Sequence, residues 1–345
     1  MKVLMVGLGG IGQRHMRNLK SILGSKVSFS AYRVQGLNLT VTDQMTVNEG
    51  INLEQEFNIT VYSDLDQALD EKPDIVFVTN PTSEHMKVAL AAAKVGCDLF
   101  IEKPLSHSYE NVTELIQTVA DRKIVCYVGF QNRFHPCLQL LHQLLSEKAV
   151  GRILAVNAEV GEFLPGWHPY EDYRQMYASR SDQGGGVILS QIHEIDYLYW
   201  LFGAPRRVFA LGGKLSKLAI DVEDVASMML ECASEGQVIP IHIHADFIQK
   251  PASRGCKIIG DEGKIVVDLI GNSLYMYSRN GDLLRKTVFD DFVRNEMFLK
   301  EISEFLTCIE NRSKSFISVE DGAISLKIAL AAKESMVTGE CITLN

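Results

Sequence analysis

Ile101-Glu102-Lys103-Pro104 places a lysine directly after an apolar run, between an acid and a proline. At the carboxyl edge of a parallel sheet, where ligands sit in open α/β folds, such a lysine can give or take the proton that accompanies hydride transfer. Gly7-Leu8-Gly9-Gly10-Ile11-Gly12 is a G-x-G-x-x-G run between one apolar stretch and the next. Gly7 permits a tight turn, Gly9 lets backbone approach a pyrophosphate, and Gly12 allows close helix–strand packing. The free N–H groups around Gly10 and Ile11 then face the phosphates. About 20 residues further on, an acid would hold the adenosine ribose, but the chain reads Ala31-Tyr32-Arg33. A carboxylate would repel a 2′-phosphate and Arg33 would pair with one, so NADP(H) is favoured and NAD(H) is second.

Further along, Gly184-Gly185-Gly186 precedes Val187-Ile188-Leu189-Ser190-Gln191-Ile192-His193-Glu194-Ile195-Asp196. His193 reads as a substrate-side histidine. Its bland alternative is a ring satisfied by its own turn, with Asp196 and Tyr197 three and four residues on. Trp167, His168, Tyr170, Arg174, Tyr177 and Arg180 form an aromatic and basic cluster suited to a sugar ring bearing a phosphate or carboxylate. A surface loop packed on its own aromatics fits equally well. His-Glu-Ile-Asp lacks the second histidine of a zinc-protease helix, and His242 and His244 on one strand face have no third ligand nearby, so no metal is expected. Arg14 and His15, early in the first helix, are expected at solvent or near phosphate.

These groups need a scaffold. Val3–Val6, Val27–Tyr32, Ile75–Thr79, Asp98–Ile101 and Ile124–Val128 are continuous apolar runs of the kind buried in a parallel sheet. Helical periods lie between them at Ile11–Ile22, Glu84–Val95 and Tyr109–Ala120, giving a doubly wound Rossmann-type α/β domain. The polar stretch Gln35–Asn58 reads as an excursion or mobile loop. After a helix at Cys137–Glu147 come longer alternating strands, at Ile153–Val160, Val208–Gly212, Ala226–Cys232, Val238–Phe247, Gly255–Ile259 and Lys264–Asp268. Turn signals at Asp261-Glu262-Gly263 and Arg279-Asn280-Gly281 mark an open, mostly antiparallel sheet. Helices at Asn295–Glu310 and Val319–Val337 follow. The division expected is 1–133 for the dinucleotide and 134–345 for substrate and oligomerisation, with the last helix able to pack back on the first domain.

The composition narrows the partners. The 345 residues carry Lys+Arg 34 against Asp+Glu 43, a net charge of −9, which disfavours a general nucleic-acid or anionic-membrane surface. No apolar run approaches the roughly 20 residues of a membrane span. The 7 cysteines are scattered without C-x-x-C spacing, as expected of a reducing cytoplasm.

Glu102-Lys103-Pro104, Thr79-Asn80-Pro81-Thr82-Ser83-Glu84-His85, Gly129-Phe130-Gln131-Asn132-Arg133-Phe134 and the run to His193, in this order, resemble the Gfo/Idh/MocA oxidoreductases. The resemblance spans essentially the whole chain. Gly161–Arg180 also looks like a branch found with bacterial surface-sugar pathways. The resemblance implies an NAD(P)-dependent dehydrogenase or reductase of sugars, polyols or nucleotide sugars. It makes Lys103 the catalytic lysine, positioned by Glu102 and Pro104, and His193 its assistant at the substrate hydroxyl. Thr79, Asn80, Pro81, His85, Glu102, Lys103 and Gln131 would face the cofactor, and Lys103, Arg133, Ser190 and His193 the substrate, beside Trp167, Arg174, Tyr177 and Arg180. A homodimer or homotetramer through the second sheet is implied. Many members carry Asp three or four residues before the histidine, where this chain has Ser190 and Leu189. Relatives also leave open an NAD-dependent glycosidase working by transient oxidation, or a dinucleotide-sensing regulator.

Overall fold

Continuous apolar runs become parallel strands because both faces of such a sheet are covered. The computed structural model describes residues 1–34, 40–42, 46–48, 52–234 and 236–344. In it β1 (Lys2–Val6), β2 (Ser28–Tyr32), a small hairpin of β3 (Thr40–Val41) and β4 (Val47–Asn48), β5 (Thr60–Tyr62), β6 (Ile75–Val78), β7 (Asp98–Glu102) and β8 (Cys126–Gly129) alternate with helices. These are α1 (Gly10–Leu23), α2 (Leu53–Glu56), α3 (Leu65–Asp70), α4 (His85–Val95) and α5 (Val112–Arg122). The six-stranded sheet runs β5-β2-β1-β6-β7-β8 with every pair parallel. β5 and α3 are absent from the sequence reading, because the edge strand Thr60–Tyr62 buries too little to leave an apolar run. α5 starts at Val112, later than its periodicity predicts, since Asn111 sits in the left-handed region at φ 61°. Of the excursion read at Gln35–Asn58, residues 35–39, 43–45 and 49–51 lie outside the described residues, and the rest includes β3, β4 and α2.

The second half brings α6 (Pro136–Ser146), β9 (Ile153–Gly161), α7 (Val187–Ser190), α8 (His193–Phe202), β10 (Arg207–Gly213), β11 (Val225–Ser234), β12 (Gln237–Asp246), β13 (Ser253–Gly260), β14 (Gly263–Asp268), β15 (Ser273–Ser278), β16 (Leu283–Val288), α9 (Asn295–Asn311), α10 (Val319–Thr338) and β17 (Ile342–Thr343). Nine strands form a sheet in the order β16-β15-β14-β13-β9-β12-β11-β10-β17. Its pairs are antiparallel except β9 with β12, which run parallel. α7 and α8 contact this sheet, and α10 packs on both of them and on β10.

The last two helices return to the first sheet. Phe77, Phe100 and Tyr127 stand side by side on β6, β7 and β8, and Phe305 of α9 meets their rings edge-on at 5.9, 5.5 and 5.8 Å. Val128 N–H donates to the Ile317 carbonyl at 3.1 Å. At the start of α9, the Asn295 side-chain oxygen accepts from Arg14 (3.3 Å) and Asn18 (3.2 Å) on α1. Arg14 and His15 are therefore buried and not at solvent, because α9 covers their face of α1.

Candidate active site

The glycine turn between β1 and α1 is shaped for an anion. Gly7 has φ 93°, and a Cβ there would lie 2.8 Å from the Asn80 nitrogen. A Cβ on Gly12 would overlap the Gly7 carbonyl oxygen, so the helix seats directly on the turn. Gly9 has nothing within 4 Å of its Cβ position, and as N-cap of α1 it makes no side-chain cap bond. The first turn of α1 holds no acid. Its open N–H groups and the positive end of the helix suit a pyrophosphate.

At the end of β7 the lysine loop is tied down from three sides. Glu102 lies against His15 Nε2 at 2.6 Å and accepts from the Lys103 N–H at 3.1 Å. The Lys103–Pro104 peptide is cis. The Pro104 carbonyl faces His85 Nδ1 at 2.9 Å, while His85 Nε2 faces the Asn80 carbonyl at 2.9 Å. His85 thus staples the loop after β6 to the loop after β7. Burial pulls its pKa below the ordinary value, against the upward pull of the two carbonyls.

The Lys103 ammonium donates to the main-chain carbonyl of Ser190 at 2.9 Å. His193, opening α8, lies 3.3 Å from the Gln131 side-chain nitrogen and edge-on to Phe130. Its own turn does not satisfy it. Asp196 turns instead to Arg133, and His193 Nδ1 is buried with no partner. Burial, then Lys103, Arg254 and Arg294, hold its pKa well below the usual histidine value. A neutral ring follows, able to accept or donate one hydrogen bond.

Asn80 Oδ1, Gln131 Oε1, Ser190 Oγ, Gln191 Nε2 and His193 Nδ1 are buried polar atoms without partners among the described residues. Unmet buried groups are expensive unless a ligand or water satisfies them. Four of these residues were singled out from the sequence. Gln191 was not, although it lies within the run leading to His193. The residues present therefore fit a dinucleotide with a polar substrate beside it.

Other positions differ from the expectation. Arg133 is buried and forks onto Asp196 through Nε (2.9 Å) and Nη2 (2.7 Å). Arg174 pairs with Asp172 and Arg180 with Asp182, each on its own stretch of exposed loop. Trp167 packs edge-on to Phe247 at 5.3 Å with Nε1 buried and unpartnered, and Tyr177 packs against the core. Arg33 pairs with Glu54 at 3.0 Å. Thr79 Oγ1 donates to the Gly7 carbonyl at 2.7 Å, fixing the glycine turn, and Pro81 is exposed beside it. Sequence reasoning missed Arg254, which forks onto Glu194 at 2.8 and 2.9 Å. Its partner lies 60 residues away, beyond the reach of local pattern. His244 sits between Ser227 (3.0 Å) and Asp246 (3.0 Å), and no cluster of three metal-ligating side chains occurs among the described residues.

A Rossmann turn facing a lysine loop and a histidine helix defines a nicotinamide-dependent oxidoreductase. Residues 1–130 match the model of the oxidoreductase family with an NAD-binding Rossmann fold, and residues 138–266 match the GFO/IDH/MocA C-terminal domain. The chain belongs to the Gfo/Idh/MocA oxidoreductase family. It is 22% identical over 342 residues to the myo-inositol 2-dehydrogenase of Thermotoga maritima, covering 97% of this chain and 96% of that protein. It is 23% identical to the scyllo-inositol 2-dehydrogenase (NAD(+)) of Bacillus subtilis, covering 99% and 95%. Among solved structures, levoglucosan dehydrogenase in complex with NADH and levoglucosan superposes with a TM-score of 0.82 at 19% identity, covering 99% of each chain. The WlbA dehydrogenase of Bordetella pertussis with NADH and UDP-GlcNAcA superposes at 0.80 with 19% identity, covering 100% and 98%. No helix among the described residues is long and apolar enough to cross a membrane.

Proposed function

We propose that the chain is a dehydrogenase or reductase of a CH–OH group on a sugar, polyol or nucleotide sugar. The carrying observation is Lys103 Nζ and His193 together with the unpartnered polar atoms of Asn80, Gln131, Ser190 and Gln191, on the loops and helix starts that follow the glycine turn. When bound, the nicotinamide supplies or accepts the hydride. Lys103 handles the proton: its amine takes it from the substrate hydroxyl in oxidation, and its ammonium returns it in reduction. His193 holds the same oxygen by one hydrogen bond, and the Ser190 carbonyl aims the lysine. Trp167 and Tyr177 contribute a wall of the substrate site. Arg174 and Arg180 reach an anionic substituent by exchanging Asp172 and Asp182 for it. Replacing Lys103 by Ala should lower turnover by at least about a hundredfold while dinucleotide still binds. Near-normal turnover would overturn the assignment.

For the finer choice of cofactor, Ala31-Tyr32-Arg33 supports NADP(H), and the Glu54 carboxylate beside Arg33 opposes a 2′-phosphate and supports NAD(H). Glu54→Gln should therefore shift the ratio of NADP to NAD affinity toward NADP. An unchanged ratio would remove Arg33 from cofactor selection. We also infer a division into a cofactor unit, 1–133, and a substrate unit, 134–345. Exposed Leu211 and Met229 on neighbouring strands support assembly into a homodimer or homotetramer through the second sheet. Seven free cysteines, six of them buried, support a reducing, cytoplasmic setting.

A further inference from the structure

Behind the lysine loop lies a group of buried polar atoms outside the substrate cleft. His15 is fully buried, with Nε2 on Glu102 at 2.6 Å and Nδ1 without a partner. Its ring is packed by Phe77 (5.5 Å), Phe100 (4.9 Å) and Phe298 (6.0 Å). Phe298 belongs to α9. One turn further along the same helix face is Glu301, fully buried, both carboxyl oxygens unpartnered. One turn beyond that, Phe305 meets Phe100 and Tyr127. Glu301 is therefore held between the rings that surround His15 and those on β7 and β8.

Two unmet demands lie in this one aromatic-walled region. If His15 donates from Nε2 to the Glu102 carboxylate, its Nδ1 is an acceptor with no donor. Burial without a partner favours the neutral acid form of such a carboxyl group, whose O–H is then a donor with no acceptor. The titratable groups facing Glu301 point the same way. Burial, then Glu102, Asp196 and Glu304, raise its pKa well above the ordinary carboxyl range, and Tyr127 beside it is raised as well.

We propose that Glu301 is a positioning residue for the reaction: its carboxylic acid donates to His15 Nδ1 through one water and fixes the tautomer that grips Glu102. The line runs from Glu301 through His15 and Glu102 to the backbone N–H of Lys103. Through it, a helix late in the chain sets the loop that carries the reactive amine. The inference rests on the reading of Lys103 as the proton-transfer group.

The test uses the full chain labelled with 15N-histidine, the His15 ring being assigned from His15→Gln. In the parent protein at neutral pH, Nε2 is expected to be protonated and Nδ1 bare. In Glu301→Leu, that signature should be lost and kcat should fall about ten- to a hundredfold with cofactor KM unchanged. Glu301→Gln, which retains an N–H donor, should restore both. An Nδ1–H ring or an imidazolium in the parent protein would overturn the proposal, needing no variant to fold. So would an unaltered kcat in Glu301→Leu, or Glu301→Gln as impaired as Glu301→Leu. A failure of the Lys103 reading is told apart, because it shows as turnover surviving Lys103→Ala while the His15 signature stands.

Discussion

Arg133→Ala should loosen the fold and leave substrate affinity almost untouched. The guanidinium of Arg133 is 2% exposed and its partner Asp196 1%, and they share two hydrogen bonds of 2.9 and 2.7 Å. Truncation leaves Asp196 with the Ser325 hydroxyl at 3.1 Å, in a setting that excludes water. Removing one member of such a pair typically costs about 3–5 kcal/mol, since the survivor's charge stays buried and uncompensated. That is a large share of the roughly 5–15 kcal/mol that holds a domain folded. Burial already raises the Asp196 pKa and Arg133 is the chief opposing influence, so the variant's carboxyl shifts further up. The folded variant then binds a proton that the unfolded chain releases, and its stability must improve as pH falls from neutrality toward the ordinary carboxylate range. Urea unfolding followed by circular dichroism from pH 7 to 5 reads both effects, with KM measured alongside. A loss under about 1 kcal/mol at pH 7, or a raised KM at unchanged stability, would refute the structural role and return Arg133 to the substrate.

Gly9→Ala should keep the parent melting temperature and lose dinucleotide affinity, because its Cβ meets open space where phosphate belongs. Gly12→Ala should itself cost about 1–3 kcal/mol through overlap with the Gly7 carbonyl. Scanning fluorimetry with and without NAD(H) separates the two, and a Gly9→Ala protein that binds normally would exclude the turn as the phosphate site. His135 caps α6 by accepting from the Cys137 N–H at 3.2 Å, and burial pushes its pKa down to about 4. The unfolded chain takes up that proton below about pH 6.5, so stability should fall by about 1.4 kcal/mol per unit between pH 6.5 and 4, about 3 kcal/mol in all. His135→Asn keeps a capping acceptor that does not titrate. An equally steep fall in that variant would assign the pH dependence to other groups.

Five of the six strands of the first sheet were legible because each is an apolar-rich run, the edge strand β5 being the exception, and the glycine turn because its spacing carries a mechanism. Lys103 and His193 were legible as residue types at loop and helix starts, but their partners were not. Lys103 ends on a main-chain carbonyl, which no side-chain pattern announces. The Arg133 fork onto Asp196 was not legible, because the partner lies 63 residues away on a helix whose acid seemed to belong to His193. The burial of His15, read as solvent-facing or near phosphate, was not legible because α1 taken alone gives no sign of a helix arriving from residue 295 onward. Local periodicity records which face is covered by near neighbours. It records little of a cover supplied from the far end of the chain.

The row of Phe77, Phe100 and Tyr127 also bears on biosynthesis. Phe305, which closes over it, is added about 180 residues after Tyr127, a wait of roughly 10–35 s at about 5–20 residues per second on the ribosome. For that interval the newborn nucleotide fold has three aromatic rings without their final cover. Chaperone demand during translation should therefore peak after the eighth strand emerges and end when the ninth helix docks.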